Sequence, residues 1–155
     1  MTMLGGGQGY PSDPRLKFTR KIFTFTGAAG FGAIGNCVLF TVTDAVHLVS
    51  VDAAVDTTLT VDGGTGAASL SLGTTGTTTL FVAATTATLL TSTNKLWYSA
   101  TPNAAGIALP AIEKDIAIQQ NIVVAVTSSG TQLVNAGRVR VAVTYIPITE
   151  DGSLV

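Results

Sequence analysis

Residues 36–50, NCVLFTVTDAVHLVS, form the longest apolar run of the chain, and its apolar members recur at every second position. Val38, Phe40, Val42, Val46 and Leu48 share one parity; Leu39, Thr41, Thr43, Ala45 and His47 share the other. Successive side chains of a strand point to opposite faces, so this period predicts a half-buried β-strand with the first set inward. A helix would spread the same set around its axis. Asp44 interrupts the inward set, which predicts either two strands joined near Asp44 and Ala45 or one long strand that bends there. Past Leu48 the apolar positions become odd, at Val49 and Val51, and a shift of one residue is what a bulge or turn produces.

The flanking sequence supplies further strands to pack on this one. Lys17 to Thr26, KFTRKIFTFT, alternates with Phe23 and Phe25 on one face and Ile22, Thr24 and Thr26 on the other. Gly27 to Gly35 is a glycine-punctuated loop with Phe31 and Ile34 as anchors; it leads into a strand, so it lacks the helix N-terminus that a phosphate cradle needs. Residues 57–62 place Leu59 and Val61 inward, residues 62–66, DGGTG, predict a hairpin turn, and Ala68 to Leu72 then returns with Leu70 and Leu72 on the partner face. Leu80, Phe81 and Val82 form a short buried run, and residues 83–93 fit either a short helix or an extended link. Asn121 to Thr127 is apolar on both faces and is therefore expected to be central. Arg138 to Ile146 alternates most cleanly, with Val139, Val141, Val143 and Tyr145 inward, and Pro147 ends it.

Many short strands with turns roughly every tenth residue predict an all-β fold, an antiparallel β-sandwich or jelly-roll-like domain, over residues 17–148. At 155 residues the chain is long enough to bury about two-thirds of its unfolded surface. Residues 1–16 hold Gly5, Gly6, Gly7, Gly9, Pro11 and Pro14, which free the backbone or break a ladder, and form an extended N-terminal arm expected to rest on a neighbouring subunit. Residues 149–155 form a short acidic tail.

Charge is sparse and uneven. Charged residues make up 11% of the chain against about a quarter in typical domains. Arg15, Lys17, Arg20 and Lys21 cluster, and from Ile22 to Asn94 the only charged residues are Asp44, Asp52, Asp56 and Asp62. So long a stretch with so few charges is easier to understand if copies of the chain or a larger assembly cover it. The basic residues of the first strand have a second use, since cations on an edge strand discourage pairing with strangers. A net charge of −1 offers no basis for a nucleic-acid partner. No apolar stretch reaches the roughly 20 residues that span a bilayer, and the Gly-rich start lacks a signal peptide's apolar core, so synthesis in a cytoplasm without membrane insertion is expected.

Residues able to carry chemistry are few. Cys37 is the single cysteine, which excludes an intrachain disulfide and points to a small core hydrophobe. His47 stands at an outward strand position without further metal ligands nearby in sequence. No nucleophile elbow, zinc-protease, phosphate-loop or calcium-loop motif occurs. No catalytic residue, cofactor or metal site is therefore expected. Trp97 is expected in the core with its indole N–H on a carbonyl; the alternative is a glycan platform made of Trp97 and Tyr98, with Tyr10 as a further stacking group.

In order along the chain, the segments NCVLFTVTDAVHLVSV, TLTVDGGTGAASLSLGT, ATTATLL, KLWYSATP, NIVVAVT and GRVRVAVTYIPI resemble the small all-β virion proteins of tailed bacteriophages, of the head decoration (cement) or head-fibre type. The resemblance covers most of the chain after Phe23 and does not explain the arm. It implies a structural protein on the capsid surface that coats and bridges the major capsid protein, commonly as a homotrimer, with no catalytic residues. On physical grounds, Tyr10, Arg15, Lys17, Arg20 and Lys21 are assigned to capsid contact, while the uncharged Thr/Ala/Val-rich faces are assigned to self-association. A receptor- or glycan-binding fibre and a tail or neck component are the alternative roles.

Overall fold

The computed structural model describes residues 15–91, 95–100, 102 and 113–155. Its strands are β1 (Lys17–Thr24), β2 (Gly35–Phe40), β3 (Val42–Thr43), β4 (Val46–Val61), β5 (Ala68–Thr74), β6 (Val82–Thr86), β7 (Lys95–Leu96), β8 (Glu113–Ile118), β9 (Ile122–Ser128), β10 (Val134–Pro147) and β11 (Ser153–Leu154). All pairings between them are antiparallel. The larger sheet runs β1-β10-β4, with β7 and β8 pairing on the far side of β4, and the smaller runs β2-β9-β5-β6. Inward side chains of both sheets merge into one core. The chain is thus an all-β antiparallel sandwich.

The organising stretch splits as its sequence allowed. β2 and β3 are separated from β4 by Asp44, whose φ of 54° is the left-handed turn conformation that Asp tolerates better than most residues. The inward set of its first half, however, is inverted: Cys37 and Leu39 are fully buried and Val38 is 45% exposed. The reason is a bulge. Val38 pairs with Val123 and Phe40 with Ile122, so Leu39 is an extra residue, and Leu39 and Phe40 both turn inward.

In β4 the phase change past Leu48 is a bulge as well. Leu48 pairs with Tyr145 and Ser50 with Thr144, which leaves Val49 over, and the buried positions pass from Val46 and Leu48 to Val51, Ala53 and Val55. Gly137 marks another irregularity, with φ at 107° and no room for a Cβ, which would lie 2.5 Å from the Leu59 side chain. These bulges let a strand of 16 residues curl around the core instead of lying flat.

Residues 62–67 are a corner between sheets and not the expected hairpin, because β4 belongs to the larger sheet and β5 to the smaller. Asp62 holds that corner by accepting from Gly64 N and Leu133 N, while Thr65 O accepts from Thr131 N and Gln132 N of the returning β9–β10 crossing. Of the ambiguous stretch 83–93, the first residues complete β6 and a single 3₁₀ turn, Ala87–Leu89, follows, while 92 and 93 lie outside the described residues. β9 is central in its sheet and buried from Ile122 to Val126, as its two apolar faces required.

The chain's last residues do more than the acidic tail expected of them. Ser153–Leu154 pair with β3, Leu154 is buried, and Thr41 and Val155 exchange both backbone hydrogen bonds. Among the described residues no helix is long and apolar enough to cross a membrane.

Candidate assembly surface

Edge strands show where a sandwich remains unfinished. β1 and β2 occupy one edge of their respective sheets, and the Nζ of Lys21 on β1 lies 6.0 Å from the centre of the Phe40 ring on β2, so both edges lie on the same flank. That flank is apolar. Six of the nine large hydrophobic residues exposed among the described residues, Leu16, Phe18, Ile22, Phe31, Ile34 and Val38, fall on β1, on β2, or beside and between them. Scattered singly, exposed apolar residues need no explanation; here they line one edge of the sandwich, Phe18 and Ile22 on the outer side of β1, Val38 on the outer side of β2 and Phe31 and Ile34 on the loop between, and mark it as a contact surface.

The loop between the two strands is held rigidly enough to present its rings. Thr26 N and Gly27 N both donate to Phe31 O, and Phe31 N donates to Ala28 O. Gly32 has φ of 120°, and a Cβ there would fall 2.1 Å from Val134 O, so only glycine lets the loop lie against β10. As a result Phe31 stacks on Phe23, which meets Phe25 edge-on at 5.0 Å. Phe23 and Phe25 are buried and Phe31 is half open to solvent. The ladder of rings therefore runs from the core to the surface.

The basic cluster is divided by strand parity. On β1 the odd residues Lys17, Thr19, Lys21 and Phe23 face the same way as Tyr145, Val143, Val141 and Val139 of β10, toward the second sheet. Arg20 belongs to the opposite face with Phe18 and Ile22. Arg15, Lys17, Ile148 and Glu150 line a shallow cavity of about 380 Å³. Lys17, Arg20 and Lys21 are all exposed, but the structure does not bring them to one site. Tyr10, the remaining residue assigned to capsid contact, lies outside the described residues.

On the outer face of the larger sheet the registers give three rows across β1, β10 and β4: Phe18, Thr144 and Ser50; Arg20, Ala142 and Asp52; Ile22, Arg140 and Ala54. Asp52 accepts a hydrogen bond from the Tyr98 hydroxyl at 2.8 Å and one from Ser50 Oγ at 3.5 Å. The Tyr98 hydroxyl is pushed up to about 12, by burial first and then by its bond to Asp52 and that carboxylate's charge. Between described residues one ion pair forms, Arg138 to Asp56 at 3.0 Å, one row further along.

Trp97 is fully buried, and its indole N–H donates to Thr85 Oγ1 at 2.8 Å, a hydroxyl in place of the expected carbonyl. A buried ring has no face for a sugar, so Trp97 and Tyr98 do not form a glycan platform. Cys37 is buried, and burial raises its thiol against the opposing pull of a hydrogen bond from the Gly32 backbone. His47 is half-buried on β4 at the outward parity, between buried Val46 and Leu48, and pairs in register with Ile146 on one side and Ala117 on the other. No group of three or more His, Cys, Asp or Glu able to hold a metal occurs among the described residues.

A larger open cavity of about 640 Å³ lies between Leu80, Ile116, Ile118, Gln119, Gln120 and Ile148, the last of which it shares with the cavity beside Lys17. Gln120 Oε1 accepts from Gly76 N and Thr74 Oγ1, which ties the β8–β9 turn to the loop after β5. The outer face of the smaller sheet offers less surface than its uncharged sequence implied: Ser71, Val123 and Ala125 are all buried, and the loop at Thr77 and Thr78 lies against Gly73.

The exposed flank was partly visible in the sequence. Alternation alone puts Ile22 opposite Phe23, and the glycine spacing marks Phe31 and Ile34 as loop anchors, but Phe18, Val38 and the Arg20–Ala142–Asp52 row depend on pairings far apart along the chain. No family model, curated protein or solved structure matches this chain.

Proposed function

We propose that this chain is a structural assembly protein, one that works by covering and joining surfaces, and that its place is the outside of a tailed-phage head, where it bridges major capsid protein subunits. The gathering of exposed apolar side chains on the β1–β2 flank, interleaved with Lys17, Arg20 and Lys21, carries the reading. Contact surfaces combine an apolar patch with charged residues at its margin, and the cations give the flank a preference for an acidic partner. The virion assignment draws its support from the order of sequence segments described above.

The mechanism is mechanical. A unit that spans two neighbours adds buried area to their contact, and an interface of standard size buries about 1,600 Å² in total. Repeated over a closed shell, modest contacts act together through high effective concentration. A sandwich whose core joins both sheets is close-packed and passes strain from one sheet to the other.

Mixing the purified protein with heads that lack it tests the role. Saturable binding and a gain in the temperature at which heads release their contents are expected. Heads that neither bind the protein nor gain heat resistance would contradict the assignment.

A further inference from the structure

We infer that two copies of this chain pair face to face through the outer surface of the larger sheet, about a two-fold axis along β10, so that Arg20 of each copy meets Asp52 of the other. The inference rests on the reading of the chain as an assembly protein and divides its flank: Phe18, Arg20 and Ile22 join two copies, while Lys17, Lys21, Phe31 and Ile34 are left for the capsid.

The registers carry the argument. Arg20 pairs with Ala142 and Ala142 with Asp52, so a cation, a methyl group and an anion lie in one row on one face. Neighbouring strands are about 4.8 Å apart, which separates the two charged positions by roughly 10 Å across the sheet. A half-turn about the central strand exchanges left and right without changing height. Arg20 then stands over Asp52 of the second copy, Asp52 over its Arg20, and both ion pairs form together, as an isologous contact requires. Sheets stack about 10 Å apart, within reach of an arginine and an aspartate that extend toward each other.

The neighbouring rows agree in shape. Phe18, which is 66% exposed, would cover Ser50 of the second copy, and Ile22, which is 46% exposed, would lie over the row of Ala54, which is already buried within its own chain. Large apolar groups thus meet small residues, and small Ala142 sits at the axis. Arg140 also lies near the axis, where its two copies repel. The crossing of about 30° usual between stacked sheets, centred on Ala142, moves them apart.

Asp52 is prepared for such a partner. It is exposed, and its only hydrogen-bond donors among the described residues are the Tyr98 and Ser50 hydroxyls, which orient the carboxylate without neutralising it. Arg20 is equally exposed and has no ion-pair partner between described residues.

The test is a charge exchange on the full chain, read by sedimentation across a range of protein concentrations. The wild type is expected to form a dimer. Arg20→Asp and Asp52→Arg, each made alone, should weaken it about tenfold or more, because each leaves like charges opposed. The double variant carrying both changes should recover the wild-type mass. Arg20→Gln and Asp52→Asn, with thermal melting to verify the fold, give the same reading without charge reversal. A dimer or larger oligomer indifferent to these changes, a trimer included, would overturn the proposed face while leaving self-association intact. A monomer at every concentration would overturn both.

Discussion

Phe31 lies flat on Phe23, with ring centroids 5.7 Å apart and planes 8° from parallel. One ring is buried in the sandwich and the other is half open, so the pair fastens the loop of the exposed flank to the core. Phe31→Ala should therefore lower stability by about 1 kcal/mol, as an aromatic pair outside the core does, while Phe23→Ala should cost about 3–5 kcal/mol. Gly32→Ala, which places a methyl group against Val134 O at an unfavourable φ, should cost more than Phe31→Ala. Denaturant unfolding of the three variants checks the order.

The indole of Trp97 joins the two sheets through Thr85, since β7 flanks β4 and β6 belongs to the other sheet. Thr85 Oγ1 accepts from the indole and lies 3.2 Å from the carbonyls of Ala83 and Ser99. Thr85→Val keeps the volume and leaves a buried N–H without a partner, a cost of about 1–3 kcal/mol. The loss should appear in tryptophan-monitored unfolding, as a lower midpoint with an unchanged slope.

Cys37 is sealed in the core with its thiol raised by burial. A neutral, inaccessible thiol is a poor nucleophile. An aromatic disulfide reagent should leave the native protein unlabelled and modify it in denaturant, at a rate that reports opening of the sandwich. Prompt labelling of the native protein would show that β2 is not packed as described.

Tyr98 makes stability depend on pH in the alkaline range. Its folded value of about 12 lies above the ordinary value near 10, so between the two the folded state holds a proton that the unfolded state has lost. The contribution is complete below pH 10 and is lost as the pH rises toward 12. Tyrosinate absorbance should show a step near pH 12 that disappears in Tyr98→Phe, and that variant's stability should fall less steeply through the same window.

How much of this was legible in the sequence follows from which pairings are local. The inward set of β10, from Val139 to Tyr145, needed only alternation, and the shift past Leu48 announced the bulge at Val49 because apolar residues stand on both sides of it. The bulge at Leu39 was hidden, since Val38, Leu39 and Phe40 are all apolar and parity alone cannot tell which is left out. The corner at residues 62–67 carries hairpin residues, and only its contact with residues 129–133, far along the chain, makes it a crossing between sheets. The separation of Arg20 from Lys17 and Lys21 was readable from parity once β1 was a strand. The match of Arg20 with Asp52 was not, because it passes through Ala142.

The central claim is that copies of the chain associate through the exposed outer side of β1, at Phe18 and Ile22. The most direct measurement compares, by light scattering over a range of concentrations, the mass of the full-length wild type with that of Phe18→Ser/Ile22→Ser, which removes the flank's two apolar side chains on β1 and touches no core position. The account predicts a wild type that associates as concentration rises and a folded variant that remains a monomer. A wild type that stays monomeric throughout, or a variant that associates as readily, would contradict it.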